Sequence, residues 1–214
     1  MMRIAVDGPS GAGKSTVARR IADRLGIDYI DTGAMYRAVG YKLLKEGVSL
    51  KNTEAVQELL DRTEIDFSNG KIFLDGEDVS GLIRTQEIAG QASACSAIGI
   101  VRTKLVDLQR KMGREKSVIM DGRDIGTNVF PDAEYKFFIT ASAEERARRR
   151  CEELKAGGQE AEPEQILAAI RKRDHDDSTR AINPLRKADD AVEIDTTHMS
   201  IDEVTDYICR EMNR

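Results

Sequence analysis

Gly8-Pro9-Ser10-Gly11-Ala12-Gly13-Lys14-Ser15 decides the fold. It matches G-x-x-x-x-G-K-[ST] at every fixed position. The apolar run Ile4-Ala5-Val6 reads as a buried strand ahead of it. Lys14–Leu25 reads as an amphipathic helix behind it, with Val17, Ala18, Ile21, Ala22 and Leu25 three or four residues apart. Strand, glycine loop and helix in this order form an anion cradle. The glycines let the chain curl until successive N–H groups point inward, and the start of the helix adds the positive end of its dipole. Lys14 brings a point charge to β- and γ-phosphate oxygens, the Ser15 hydroxyl suits Mg²⁺, and Thr16 reaches the α-phosphate. The expected ATP-binding set is therefore Gly8, Pro9, Ser10, Gly11, Ala12, Gly13, Lys14, Ser15 and Thr16, with Lys14 also catalytic.

Outward from the loop, apolar runs at 3–7, 28–31, 117–121, 135–140 and 191–195 read as short buried strands. Helical stretches separate several of them. That alternation implies an α/β fold: a five-stranded parallel sheet with helices on both faces. Ligands of such sheets sit beyond the C-terminal strand ends, where Asp7, Asp31, Asp121 and Thr140 close predicted strands. Two regions break the rhythm. Residues 65–80 read as small antiparallel strands joined by a Ser68-Asn69-Gly70 turn and followed by Asp75-Gly76. This small β-containing insert continues into a helix expected at about 85–112. Residues 143–176 read as a charged helical hairpin, one helix to about 155, a Gly157-Gly158 bend, and a second from about 163. Such a hairpin suits a mobile lid. The whole is expected to be one domain: 1–31, 113–142 and 177–214 as core, 32–112 as an acceptor-binding region, 143–176 as the lid.

The chain has 214 residues and a net charge of −5, which argues against a broad nucleic-acid surface. Locally the balance reverses, for Arg146, Arg148, Arg149, Arg150, Arg171, Lys172, Arg173 and Arg180 crowd one region. No 18-residue apolar run suggests a membrane span, and no signal-like stretch follows Met1. Cys95, Cys151 and Cys209 are far apart and fit free thiols in a reducing compartment. His175 and His198 lack a metal-ligand spacing. A cytoplasmic protein with small-molecule nucleotide substrates, no nucleic-acid or membrane partner and a monomeric state is expected.

The loop alone does not name the acceptor. A GTPase would need an Asn-Lys-x-Asp segment, which is absent. A transporter-type ATPase would need a Ser-Gly-Gly-Gln signature, and Leu154-Lys155-Ala156-Gly157-Gly158-Gln159 is better read as a hairpin tip. A kinase of a small anion remains, with a nucleotide-gated binding module as a non-enzymatic rival. Asp31-Thr32-Gly33-Ala34-Met35-Tyr36-Arg37 closes a strand and opens a helix. Arg37 there either meets a phosphate or is a surface residue held by Asp31. In Met120-Asp121-Gly122-Arg123-Asp124, Asp121 stands where a Mg²⁺-water ligand belongs or caps the next turn. Arg123 can hold a phosphate and Asp124 can accept from an exocyclic amine. The bland alternative is an ion pair that steers the loop.

Taken together, these segments resemble the bacterial cytidylate kinases. The resemblance rests on Asp-Gly-Pro-Ser-Gly-Ala-Gly-Lys-Ser at 7–15, Asp-Thr-Gly-Ala-Met-Tyr-Arg at 31–37, Gly76-Glu77-Asp78-Val79 with Ile83-Arg84-Thr85, Asp-Gly-Arg-Asp at 121–124, and Arg173-Asp174 through Arg180. The first motif is shared with many kinases, whereas the set in this order is specific. The resemblance implies the nucleoside-monophosphate-kinase fold, ATP and Mg²⁺ as donor and metal, and CMP or dCMP as acceptor. It implies that Ser93, Arg102 and Asp124 contact cytosine. It further implies that Arg37, beside Thr32, holds the acceptor phosphate with Arg123 and Arg173, the last two acting in catalysis, and that Asp177 binds the ribose next to Arg180. Family members often carry Pro where this chain has Gly99.

Overall fold

A computed structural model describes residues 1–68 and 70–213. The elements run β1 (Arg3–Asp7), α1 (Lys14–Leu25), β2 (Asp28–Asp31), α2 (Thr32–Lys45), α3 (Thr53–Asp61), β3 (Ile65–Ser68), β4 (Lys71–Leu74), β5 (Glu77–Asp78), α4 (Gln86–Ser96), α5 (Gly99–Glu115), β6 (Val118–Gly122), β7 (Tyr135–Thr140), α6 (Ala143–Ala156), α7 (Pro163–Thr179), β8 (Val192–Asp195) and α8 (Ile201–Met212). They group into two compact units, residues 1–29 with 116–214, and residues 30–115.

The first unit is built on the expected five-stranded sheet, in the order β2-β6-β1-β7-β8. β1 pairs in parallel with β6 (Ile4 opposite Ile119) and with β7 (Ile4 opposite Tyr135), and β7 pairs with β8. β1 is buried along nearly its whole length, which is why it reads as a continuous apolar run. Ile4, Val6, Ile119, Phe137, Ile139 and Ile194 from the sheet form one core with Val17, Ala18 and Ile21 of α1 and Val204 and Ile208 of α8. The apolar stripe of α1 is as predicted except for Leu25, which is 40% exposed at the helix end. Gly26 terminates α1 with φ 64°, and its N–H returns to the Ala22 carbonyl. The charged hairpin is α6 and α7. α7 runs on to Thr179, so Arg173 and Asp177 lie one turn apart on one face, with Arg180 following at the helix end.

The second unit holds α2 to α5 and the antiparallel sheet β3-β4-β5. The predicted hairpin pairs Ile65 with Leu74 and Phe67 with Ile72, while Asn69 of its predicted turn lies outside the described residues. Buried Lys42 on α2 ties the hairpin down, donating to the Arg62 carbonyl (3.1 Å) and pairing with Asp75 (2.5 Å). The single helix expected at 85–112 is two helices. The N–H groups of Ala97 and Ile98 bond back three residues, to Ala94 and Cys95, and this tightening ends α4 before α5 starts at Gly99. Among the described residues no helix is long and apolar enough to cross a membrane.

Candidate active site

The glycine loop joins the centre of the sheet to α1. Gly8 has φ 143°, and a Cβ there would lie 1.9 Å from the Ile139 carbonyl oxygen, so only glycine lets the loop leave β1 against β7. Lys14 is buried, its ammonium donating to the Pro9 carbonyl at 2.6 Å. Burial first, and then the positive charges of Arg123 and Arg173, hold its pKa well below that of a free lysine, against the pull of Asp121 and Asp7. Three cations therefore bear on one place. Such a cluster is costly unless anions balance it, and Asp7, Asp121 and Asp177 do so in part. A cleft of about 600 Å³ opens beside the loop, lined by Gly13, Lys14, Ser15, Thr16, Arg149 and Ile201.

The Ser15 hydroxyl donates to Asp121 Oδ2 at 2.9 Å, and the Tyr29 hydroxyl donates to Asp121 Oδ1 at 2.7 Å. Hard oxygen donors of this kind suit Mg²⁺ bound mainly through water and phosphate. Among the described residues no cluster of three or more His, Cys, Asp or Glu could hold a metal by itself, so the donor set fits a metal that arrives with a nucleotide.

A second group of charges in the same unit surrounds the end of β6. Arg123 Nε donates to Asp177 Oδ2 (2.7 Å), and Arg180 Nη2 donates to Asp124 Oδ1 (3.2 Å). Arg180 also lies 3.8 Å from Asp177. Burial pushes the Asp177 acid up, but Arg123, Arg173 and Arg180 outweigh it and hold the carboxyl below its usual range. The expected residues Arg123, Asp124, Asp177 and Arg180 thus form one network of side chains. Arg146, Arg149 and Arg150, each a candidate to close over a transferring group, are held differently. Arg146 is buried. It donates to the Ser10 carbonyl (3.1 Å) and makes a two-pronged contact with Asp174 (2.9 and 2.6 Å). Gly11 leaves room for it, since a Cβ there would lie 3.3 Å from Arg146 Cβ. Arg149 donates to Glu145 and the Thr196 carbonyl, and Arg150 to Glu153.

In the second unit, Asp31 caps α2 through the Ala34 N–H (2.8 Å) and accepts from Arg37 Nη2 (2.8 Å). Arg37 is thus held by Asp31, while its buried Nε has no hydrogen-bond partner. Thr32, the first residue of α2, is buried. Arg102 on α5 is buried, with its guanidinium 5.7 Å from the Tyr36 ring centre and Nη1 donating to the Ser96 carbonyl at 3.1 Å. Ser96 bonds back to the Ser93 carbonyl. The break between α4 and α5 therefore brings Arg102 to the helix end that carries Ser93, which the nine-residue separation in sequence gave no reason to expect.

The profile of cytidylate kinase matches residues 4–214. The chain belongs to the cytidylate kinase family. A cytidylate kinase of Clostridioides difficile (strain 630) is 49% identical over 210 residues, covering 98% of this chain and 97% of the relative. One of Caldanaerobacter subterraneus subsp. tengcongensis is 51% identical over 207 residues, covering 97% and 92%. Among solved structures, shikimate kinase of Bacteroides thetaiotaomicron aligns over 100% of this chain and 99% of its own, with 13% identity and a TM-score of 0.53, a likeness of fold. The family membership agrees with the predicted P-loop kinase fold. Sequence reasoning missed Tyr29 and Asn128, whereas the contact of Arg37 with Asp31 is the second of the two readings it offered. It placed Asp7 at the end of a strand but gave it no role. Tyr29 had no signal, being one aromatic in a strand. Asp31 was visible as an N-cap ahead of a helix.

Proposed function

We propose that the protein transfers the γ-phosphoryl group of ATP to CMP, and to dCMP, giving CDP or dCDP and ADP. The observation that carries this reading is the glycine loop at the end of the sheet, with buried Lys14 folded onto it and Ser15 bonded to Asp121, in a chain of the cytidylate kinase family. An oxygen of the CMP phosphate attacks the γ-phosphorus in line with the bond to the β-phosphate oxygen, which leaves on ADP. That acceptor oxygen is already anionic, so no strong base is required. The work is to hold two polyanions together, and cations do it. Lys14 and the N–H groups of the glycine loop bear on the donor, and Arg37, Arg123 and Arg173 bear on the acceptor phosphate. Ser15, and Asp121 through water, would hold Mg²⁺, which would neutralise donor charge. Ser93, Arg102 and Asp124 read the base, and Asp177 takes the ribose hydroxyls, with Arg180 holding both carboxylates in place. Arg146, Arg149 or Arg150 of α6 closes over the transferring group when nucleotide binds. The protein acts as a cytoplasmic monomer. Incubation with γ-labelled ATP, Mg²⁺ and CMP is expected to place the label in CDP. Label released only as inorganic phosphate, at a rate indifferent to CMP, overturns the proposal.

A further inference from the structure

Asp124 stands at the head of the turn Ile125–Val129, where an aspartate ordinarily accepts an N–H from the turn it opens. It makes no such bond. Instead the Ile125 N–H donates to Asp7 Oδ1 at 2.8 Å and the Gly126 N–H to Asp7 Oδ2 at 2.7 Å. Asp7 ends β1 and lies opposite Gly122 of β6, so it reaches the turn from the neighbouring strand. The Asp124 carboxylate meets side chains instead of the turn's backbone N–H groups, one of them from the turn itself. Oδ1 accepts from Arg180 and Oδ2 from Asn128 Nδ2 at 3.1 Å.

We infer that Asp7 is a positioning residue: it caps the backbone of the 125–129 turn in place of Asp124, so that the Asp124 carboxylate is oriented toward the acceptor base by its side-chain partners Arg180 and Asn128 and not by the turn's N–H groups. The inference rests on the base-reading role proposed above for Asp124. Two further observations support it. The turn is packed against this cap, since a Cβ on Gly126 would lie 3.2 Å from Lys136 Cδ and 3.4 Å from Asp7 Oδ2. Asp7 is also kept in a place that opposes its charge. Burial pushes its acid up to about 6, with Asp124 adding to the rise, while the two N–H bonds and Lys14 act the other way. The glycine loop leaves β1 at the next residue, Gly8, so one carboxylate anchors both the start of the donor loop and the loop that reads the acceptor.

Asp7→Asn keeps one acceptor atom and replaces the other by an NH₂ group, which cannot accept an N–H. One turn N–H is then left for Asp124. The test is kcat/KM with CMP and with UMP for the wild type, Asp7→Asn, Asp124→Ala and the double variant. The expected result is a fall of about tenfold in the CMP-over-UMP ratio for Asp7→Asn, expressed mainly in the KM for CMP with the KM for ATP moving less. The double variant is expected to show the ratio of Asp124→Ala alone, because Asp7 acts through Asp124. A ratio lost in Asp124→Ala but kept in Asp7→Asn overturns the inference and spares the base-reading role. An Asp124→Ala variant with the wild-type ratio overturns both. A double variant whose losses multiply gives Asp7 an independent role and also overturns the inference. A second measurement needs no variant: the Ile125 and Gly126 amides are expected to exchange about a hundredfold more slowly than exposed loop amides, and fast exchange at either removes the cap.

Discussion

Replacing Gly8 by Ala adds one methyl group where β1 hands over to the phosphate loop. The new Cβ would lie 1.9 Å from the Ile139 carbonyl oxygen and 2.9 Å from its carbon. Ordinary contact needs more than about 3 Å, so the loop must move by about 1 Å. Ile139 cannot yield instead, because β7 is fixed between β1 and β8. The backbone at φ 143° is itself disfavoured for a residue with a side chain. Overpacking costs about 1–3 kcal/mol and backbone strain about 1–3 kcal/mol more. A displacement of this size in a loop that positions a reacting phosphate lowers turnover by about 10²-fold. Gly26→Ala is the matched control. It has φ 64° but no atom within 4 Å of its Cβ, so it carries strain of only about 1–2 kcal/mol and leaves activity intact. Urea unfolding followed by circular dichroism gives the stabilities, the chain having no Trp for fluorescence, and CMP-dependent ADP release gives the activity. A Gly8→Ala variant that matches the Gly26→Ala variant in both readouts would refute the reasoning.

Lys14→Ala is expected to reduce turnover by at least about 10³-fold without loss of stability at pH 7, since burial and two arginines oppose the lysine charge in the folded protein. Turnover near the wild-type rate sinks the assignment of the loop. Tyr29→Phe removes the hydroxyl on Asp121 Oδ1 and is expected to weaken Mg²⁺-dependent ATP binding by about fivefold, the worth of one hydrogen bond. Calorimetry with and without Mg²⁺ checks it, and equal weakening in both conditions counts against a metal-linked role for Asp121. Asp177 contributes to the pH dependence of stability, its pKa being lowered by its arginines against the effect of burial. A lowered folded pKa gives stabilisation that is present above the ordinary aspartate value of about 4 and is lost as the pH falls through the lowered one. Melting temperatures are therefore expected to fall below about pH 4 in the wild type, and Asp177→Asn should make that fall shallower. An unchanged acid limb in the variant assigns the loss to other carboxylates.

Features written within a short stretch were legible in the sequence. The loop, α1 and the strands at 3–7 and 135–140 follow from apolar spacing and one motif, and the structure places them where the sequence predicts. α8 was legible too, for Ser200 and Glu203 form a capping box ahead of an apolar stripe, yet it formed no part of the expectation. What could not be read depends on contacts between distant residues. Asp7 meets Ile125 and Gly126 across more than a hundred residues, and Tyr29 meets Asp121 across 92. No local pattern marks either. The break between α4 and α5 is marked in the sequence only by Gly99, the first residue of α5, and a single Gly inside an otherwise helical stretch lowers helix propensity without fixing an end. The arginines of α6 show the converse limit. Their abundance suggested a mobile lid, but composition could not reveal that Arg146 is buried against the loop and paired with Asp174.

The central claim is tested most directly by acceptor-dependent ADP release from Mg-ATP with CMP, dCMP, UMP, AMP, GMP and dTMP side by side. CMP and dCMP are expected to exceed the other four by at least about tenfold in kcat/KM, a gap of about 1.4 kcal/mol in transition-state binding. Equal turnover across the six, or turnover with none of them, contradicts the assignment of the acceptor.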